Sequence, residues 1–351
     1  MTSDSSGTVA ASRFVQAVAG EIQDVPPIWC MRQAGRYQDS YQALRRHHSF
    51  DALCREPDLA ARVALNAVEE LDFDAAILFS DLLFPLDALG LPVSYDDGGP
   101  KLARRLDEDG LDTLRDVDAA MAALAFQAAA VAETRAHLPG DRGLIGFIGG
   151  PWTLFVYAME GTHTGTLTRA KTSLPLYRRF AAHLVPLLER MARAQLHAGA
   201  DLVMVFDTAA GELSPAAFQQ FVAPDLARLA SALPQQLGYY ARGLHPAHLD
   251  ETGVQAIGPW AGLGLDWRWN LAETLASPAR RGFVQGNLDP SLLHLSGGAL
   301  TRALDEFLDP IARLSPAERR GWICGLGHGV LQGTPPASVK TFVQTVRKRL
   351  A

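Results

Sequence analysis

The chain has 351 residues, 48% of them hydrophobic and 20% charged, which is the composition of a globular protein. Its formal net charge is −6, and no basic stripe runs through it, so neither a nucleic acid nor an anionic membrane is an expected partner. Any anion-binding site must be a local exception to an acidic background.

The opening "MTSDSSGTVAAS" has neither a basic region nor an apolar one, so it does not read as a signal peptide, and its composition predicts a disordered tail over residues 1–12. The first apolar run is PPIWCM (26–31), and PDLAARVALNAVEEL (57–71) follows with helical spacing and Pro57 in a first-turn position. AAILFS (75–80) is the second run. GLPVSYDDGGPKLARRL (90–106) then reads as an insertion, a hairpin or loop with Asp-Asp-Gly-Gly turn chemistry. VDAAMAALAFQAAAVAETRAHL (117–138) predicts one long helix, GLIGFIG (143–149) a strand, and residues 173–199 a helix closed by Gly199. DLVMVF (201–206) precedes a helix over 214–233 opened by Ser214-Pro215. QLGYYA (236–241), GLGLDW (262–267) and GFVQGN (282–287) alternate with short connections, 245–257 and 271–277. A helix within 290–311, the run GWICGLG (321–327) and a helix over 335–350 complete the chain.

Eight apolar runs alternating with helical segments, without an internal linker, predict a single-domain (β/α)8 barrel of the TIM type over residues 13–351. Three widely separated cysteines (Cys30, Cys54, Cys324) without C-x-x-C spacing predict reduced thiols, and no apolar run approaches the ~18 residues of a membrane span. The expected location is the cytoplasm.

In such a barrel, chemistry sits where the chain leaves each strand. The first run opens into "MRQAGRY", with Arg32 and Arg36 on either side of Gly35; two cations so close repel each other mildly, so an anionic ligand or plain solvation must account for them. The second run leads to Asp81, the third to Tyr157, the fourth to Asp207 and Thr208, the fifth to Arg242 and the eighth to His328. Each has a structural alternative: Asp81 or Thr208 as a helix cap, Tyr157 as core, His328 as a satisfied structural histidine. Asp266 and Asn287, among turn residues, read as structural. There is no dinucleotide fingerprint, Walker loop, H-E-x-x-H or G-x-S-x-G. An organic anion bound without a cofactor fits this pattern best.

The segments "PPIWCMRQAGRY", "FSDLLFPLDALGL", "GPWTLFVYAMEG", "FDTAAGELSP", "GLDWR", "QGNLDP" and "GLGHGV" closely resemble, in this order, the uroporphyrinogen decarboxylase family. The resemblance implies a (β/α)8 barrel, a homodimer, and decarboxylation of a tetrapyrrole polycarboxylate without metal or organic cofactor. It assigns substrate binding to Arg32, Gln33, Ala34, Gly35, Arg36, Asp81, Tyr157, Thr208 and His328. Asp81 and Arg32 are the expected catalytic residues, the first as stabiliser of a cationic intermediate, the second as a candidate proton donor beside water or a substrate carboxylic acid. Two other classes make different demands. A corrinoid-linked methyltransferase needs a His/Cys zinc cluster, and here the Cys324/His328 pair is interrupted by Gly325 and Gly327. A tetrapyrrole carrier needs no central aspartate.

Overall fold

The structure is a computed structural model of the chain and describes residues 12–96, 99–249 and 259–351. The expected tail lies outside the described residues except for Ser12, which is N-cap of the helix Arg13–Val18. β1 (Ala75–Ile77) is followed by an antiparallel hairpin of β2 (Val93–Asp96) and β3 (Gly99–Leu102), which pairs Val93 with Leu102 and Asp96 with Gly99. The segment expected to be an insertion is thus a hairpin whose tip, 97–98, lies outside the described residues. Then come β4 (Gly143–Gly149), β5 (Leu202–Phe206), β6 (Leu237–Tyr240), β7 (Gly262–Gly264), β8 (Phe283–Leu288) and β9 (Trp322–Leu326). β1 and β4 to β9 form one parallel sheet in chain order. From β4 onward every strand residue is buried, as expected when helices cover one face and side-chain layers fill the other.

Seven of the eight expected strands are therefore present, and the eighth is corrected. PPIWCM forms no strand; Ile28 makes a single parallel bridge to Cys324. Pro26 and Pro27 have no N–H to donate into a ladder. The fold is barrel-like α/β with a seven-stranded parallel sheet, and its assigned ladders do not close into eight. The segment nevertheless contacts both edge strands' neighbourhoods: Cys324 N donates to Pro27 O at 2.8 Å, Trp29 N to Cys324 O at 3.0 Å, and Asp74 N to Ile28 O at 2.9 Å.

The helix Pro57–Leu71 forms as expected, whereas 117–138 divides into Val117–Ala123 and Ala125–His137, bent by 43°. The bend buries Leu124 and lets the Gln127 amide donate inward to Ser80 Oγ at 2.9 Å. The segment 214–233 also divides, into a turn Pro215–Ala217, a π-helical turn Phe218–Val222 and the helix Ala223–Ala232. Pro224 has no amide hydrogen for the preceding turn, and the wider π turn absorbs that break. Of the connection 245–257, only the turn Pro246–His248 and its flanks are described, because 250–258 lie outside the described residues. Leu271–Ala276, Gly297–Ala312 and Pro336–Leu350 supply the remaining helices of the second half. All three cysteines are free and buried. Among the described residues no single helix is long and apolar enough to cross a membrane.

One buried carboxylate joins neighbouring βα units. Asp207, directly after β5, is fully buried; its Oδ1 accepts Thr153 N at 2.7 Å and its Oδ2 accepts the Tyr239 hydroxyl at 3.3 Å. Thr153 lies in the first turn of the helix Pro151–Glu160, so Asp207 caps that helix from the adjacent strand. Thr153 Oγ1 in return accepts Ala209 N at 2.9 Å. A Cβ at Gly150 would lie 2.2 Å from the Asp207 carboxyl carbon, so this approach requires glycine.

Burial pushes the Asp207 carboxyl from 3.8 up to about 6, against the lowering effect of its bonds to Thr153 and Tyr239. A folded-state value above the unfolded one contributes stability that is complete below about pH 4 and is lost as the pH rises through 6. Asp207→Asn removes the buried charge while keeping an acceptor for Thr153. Its stability relative to wild type is expected to improve by about 2.5 kcal/mol between pH 4 and pH 8. Urea titrations at both pH values check this, and a difference independent of pH would contradict it.

Candidate active site

The turns that follow the strands at their C-terminal ends enclose two adjoining clefts, about 250 and 600 Å³ in volume. Arg32, Ala34 and Asp81 line both; Tyr157, Thr208 and His328 line the first, and Gly35 and Arg36 the second. Six rim positions read from different stretches of sequence thus meet around the first cleft. Its floor is apolar, with Phe147 and Phe206 in tilted contact at 5.7 Å and Ile77, Phe79 and Leu82 beside them.

Gln33 is placed differently from its expected role. It is fully buried and absent from the lining of both clefts; its side-chain amide donates to Ala75 O at 2.8 Å and its Oε1 accepts Cys30 N at 3.4 Å, while its main-chain carbonyl accepts the Tyr37 hydroxyl at 2.5 Å. The side chain thus pins the R-Q-A-G-R turn onto β1. Asp266 and Asn287 are buried and structural. Asp266 accepts Gly243 N at 2.6 Å and Arg268 N at 2.9 Å, and Asn287 donates to the carbonyls of Asp266 and Trp269 at 2.8 and 3.0 Å. Arg242 lies 4.0 Å from Glu212.

Arg32 is a non-glycine residue at φ +58°, an uncommon left-handed conformation. Its stem lies against the G-H-G turn: a Cβ at Gly329 would come within 2.4 Å of Arg32 Cδ, and Val330 N donates to Met31 O at 2.9 Å. The third residue of G-H-G is therefore glycine so that an arginine from the opposite end of the chain can pass.

Asp81 is half-buried, and its Oδ1 accepts two hydrogen bonds, from Leu83 N at 2.8 Å and from the Tyr95 hydroxyl at 3.0 Å. The first is a local turn bond two residues on, and Asp81 is not the cap of the helix Phe84–Ala88, whose N-cap is Leu83; the second comes from the hairpin. Burial raises the Asp81 carboxyl pKa, opposed by Leu83 N–H, Tyr95 and Arg32. The site thus holds an incompletely compensated negative charge, which a cationic ligand would stabilise.

Tyr157 is half-buried, and its hydroxyl hydrogen-bonds His163 Nδ1. Burial raises this phenol to about 12, so it remains a donor at neutral pH. His328 is lowered to about 3, first by burial and then by Arg32, Arg242, His163 and Arg268. It is neutral in the free protein. The Tyr240 hydroxyl lies 2.8 Å from Gly327 O and 3.2 Å from His328 Nδ1. A hydroxyl has one proton; given to Gly327, it leaves His328 Nδ1 as donor to Tyr240 and Nε2 as acceptor.

Tyr95, His163 and Arg45 also line the clefts and were missed in the sequence. Tyr95 lies in an insertion, and His163 and Arg45 stand well past the strand ends. Only Arg45 falls within the first helix after its rim turn, Asp39–Arg45; Tyr95 and His163 lie beyond the helices Phe84–Ala88 and Pro151–Glu160 that follow β1 and β4.

Among the described residues, no group of three or more His, Cys, Asp or Glu side chains is arranged to hold a metal ion. Cys324 is fully buried in β9, and burial holds its thiol well above the usual range.

Comparison with known proteins agrees with the motifs. The family model described as Uroporphyrinogen decarboxylase (URO-D) matches residues 10–349. A uroporphyrinogen decarboxylase of Histophilus somni is 35% identical, covering 96% of this chain and 96% of its own. One from an Anaeromyxobacter species is 39% identical, covering 95% of this chain and 97% of its own. Among solved structures, a methyltransferase from Methanosarcina mazei superposes with a TM-score of 0.75 at 19% identity, covering 97% of this chain and 98% of its own, a likeness of fold alone. The chain belongs to the uroporphyrinogen decarboxylase family.

Proposed function

We propose that this protein decarboxylates the four acetate side chains of uroporphyrinogen III to methyl groups, giving coproporphyrinogen III in tetrapyrrole biosynthesis. We further propose that it works in the cytoplasm as a homodimer, and that the 27–30 segment completes an eight-membered (β/α)8 barrel. The observation that carries the reaction is the half-buried Asp81 carboxylate in an apolar cleft beside Arg32.

The substrate carries eight carboxylates and four pyrrole N–H groups, and a chain of net charge −6 must hold it with local cations. Arg32 and Arg36 do so, since a guanidinium grips a carboxylate with two parallel bonds and keeps its charge when partly desolvated. Ala34 and Gly35 allow the turn to approach the macrocycle. Asp81 faces the pyrrole N–H groups. Protonation of the ring carbon beside an acetate arm creates an iminium-like cation, and the nearby carboxylate stabilises it strongly where water is excluded. The bond to the carboxyl carbon then breaks, and carbon dioxide leaves as its electrons flow into the ring. A proton is delivered to the exocyclic carbon, and the ring carbon returns its own, so each arm consumes one proton net. The pyrrole is itself the electron sink, so the step requires no further cofactor. Arg32 orients the reacting arm; as a guanidinium is a weak acid, water or a substrate carboxylic acid competes with it as proton source. Tyr157 and Thr208 donate to peripheral carboxylates, and the neutral His328, with Nε2 as acceptor, takes a hydrogen bond from a proton-bearing substrate group such as a pyrrole N–H or a carboxylic acid.

Anaerobic incubation of the pure protein with uroporphyrinogen III tests the reading. Stepwise seven-, six-, five- and four-carboxyl products without added cofactor are expected, and their absence would overturn it. Asp81→Gly is expected to lower turnover by at least ~100-fold with the fold intact by circular dichroism. Arg36→Ala is expected to raise KM about tenfold with kcat little changed; an unchanged KM would count against a carboxylate contact. Because His328 is neutral, His328→Asn should retain turnover within about tenfold and leave the pH–rate profile from 5.5 to 8 unchanged. A lost limb in that range would show that His328 titrates during the reaction.

A further inference from the structure

The reaction requires a carboxylate at Asp81 with a fixed orientation, and the hairpin supplies the means. Tyr95 lies in β2, its ring 5.0 Å from Phe50 and 5.6 Å from Phe84. The base of the hairpin is tied down as well: Val93 N donates to Asp87 Oδ1 at 3.2 Å, and Asp87 Oδ2 accepts Arg55 at 2.9 Å. The phenol therefore approaches Asp81 from a braced strand. Its 3.0 Å bond and the 2.8 Å bond from Leu83 N both end on Oδ1, and neither uses Oδ2.

We propose that Tyr95 is a positioning residue for the reaction: its hydroxyl, held by ring packing against Phe50 and Phe84, donates to Oδ1 of Asp81 and keeps Oδ2 turned towards the bound macrocycle. The inference deepens the decarboxylase reading and rests on it. A carboxylate with two donors on one oxygen cannot rotate without breaking both bonds, so Oδ2 is presented to each pyrrole in turn at no reorganisation cost. The groups that face Asp81 are Arg32 from the first turn, the Leu83 amide, Tyr95 from β2, Tyr157 from the helix after β4, and Cys54 from the helix Phe50–Arg55. Arg32, Leu83 and Tyr95 favour the charged carboxylate, and burial opposes it. The Tyr95 phenol is itself driven upward by burial and by Asp81, so it stays protonated and acts only as a donor.

The test is Tyr95→Phe, which retains the ring and its packing and removes only the donor. The variant is expected to lower kcat for the first decarboxylation about tenfold, with KM changed less than about twofold, and to move the acid limb of the profile upward by about one pH unit. A direct readout needs no substrate: carbon-13 NMR of aspartate-labelled protein, with Asp81→Asn for assignment, should show the Asp81 carboxyl titrating at higher pH in Tyr95→Phe. Wild-type turnover with an unmoved acid limb, or an unshifted carboxyl titration, would overturn the role of Tyr95. An inactive wild-type protein would overturn the decarboxylase reading instead. A purely structural role for Tyr95 would lower thermal stability without moving the titration.

Discussion

The arrangement depends on backbone hydrogen bonds that hold the first apolar segment beside the last strand. Cys324 receives and returns bonds with residues 27 and 29, Asp74 N binds Ile28 O, and the Asp74 carboxylate takes Ile28 N at 2.7 Å. Pro26 and Pro27 contribute no ladder donors, so one bridge, through Trp29 N, and the Asp74 side chain hold this segment in place of a strand. Arg142 and Arg347 lie 3.2 Å from the Asp74 carboxylate, which ties the 27–30 segment to the C-terminal helix as well. Past this clamp the chain turns over residues 30–33, where Gln33 N donates to Cys30 O at 3.0 Å, and that turn delivers Arg32 against Gly329 and over the cleft. Motifs from opposite ends of the sequence become neighbours through it.

The electrostatics of the site follow from the same geometry. An acidic chain concentrates guanidinium groups at one rim, where Arg32 acts at once on Asp81, Tyr157, His163 and His328. Burial, reinforced by the neighbouring cations, keeps His328 neutral, whereas Asp81 is caught between burial and its donors. An apolar floor makes both effects stronger than they would be in water. The cleft is thus prepared for a ligand anionic at its edge and cationic, transiently, at its centre.

Much of this was legible in the sequence. The apolar runs marked seven strands because a strand covered on both faces has no polar alternation, and the residues after them marked the rim. The Gln33 side chain does not line either cleft, because a motif residue between two cleft residues need not itself face it; it is buried and donates to Ala75 O. The helices over 117–138 and 214–233 were expected to be continuous because periodicity records which face is buried, not where packing or Pro224 interrupts the ladder. Tyr95 was passed over because its partner lies across a long-range contact, and no local pattern encodes which side chain meets Asp81.

The central claim is that one carboxylate serves all four pyrroles. A crystal structure with coproporphyrinogen III bound tests it most directly. The account predicts Asp81 Oδ2 at about 3 Å from pyrrole nitrogens at the centre of the macrocycle, with propionate carboxylates on the rim arginines. A macrocycle whose nitrogens face away from Asp81 would contradict it.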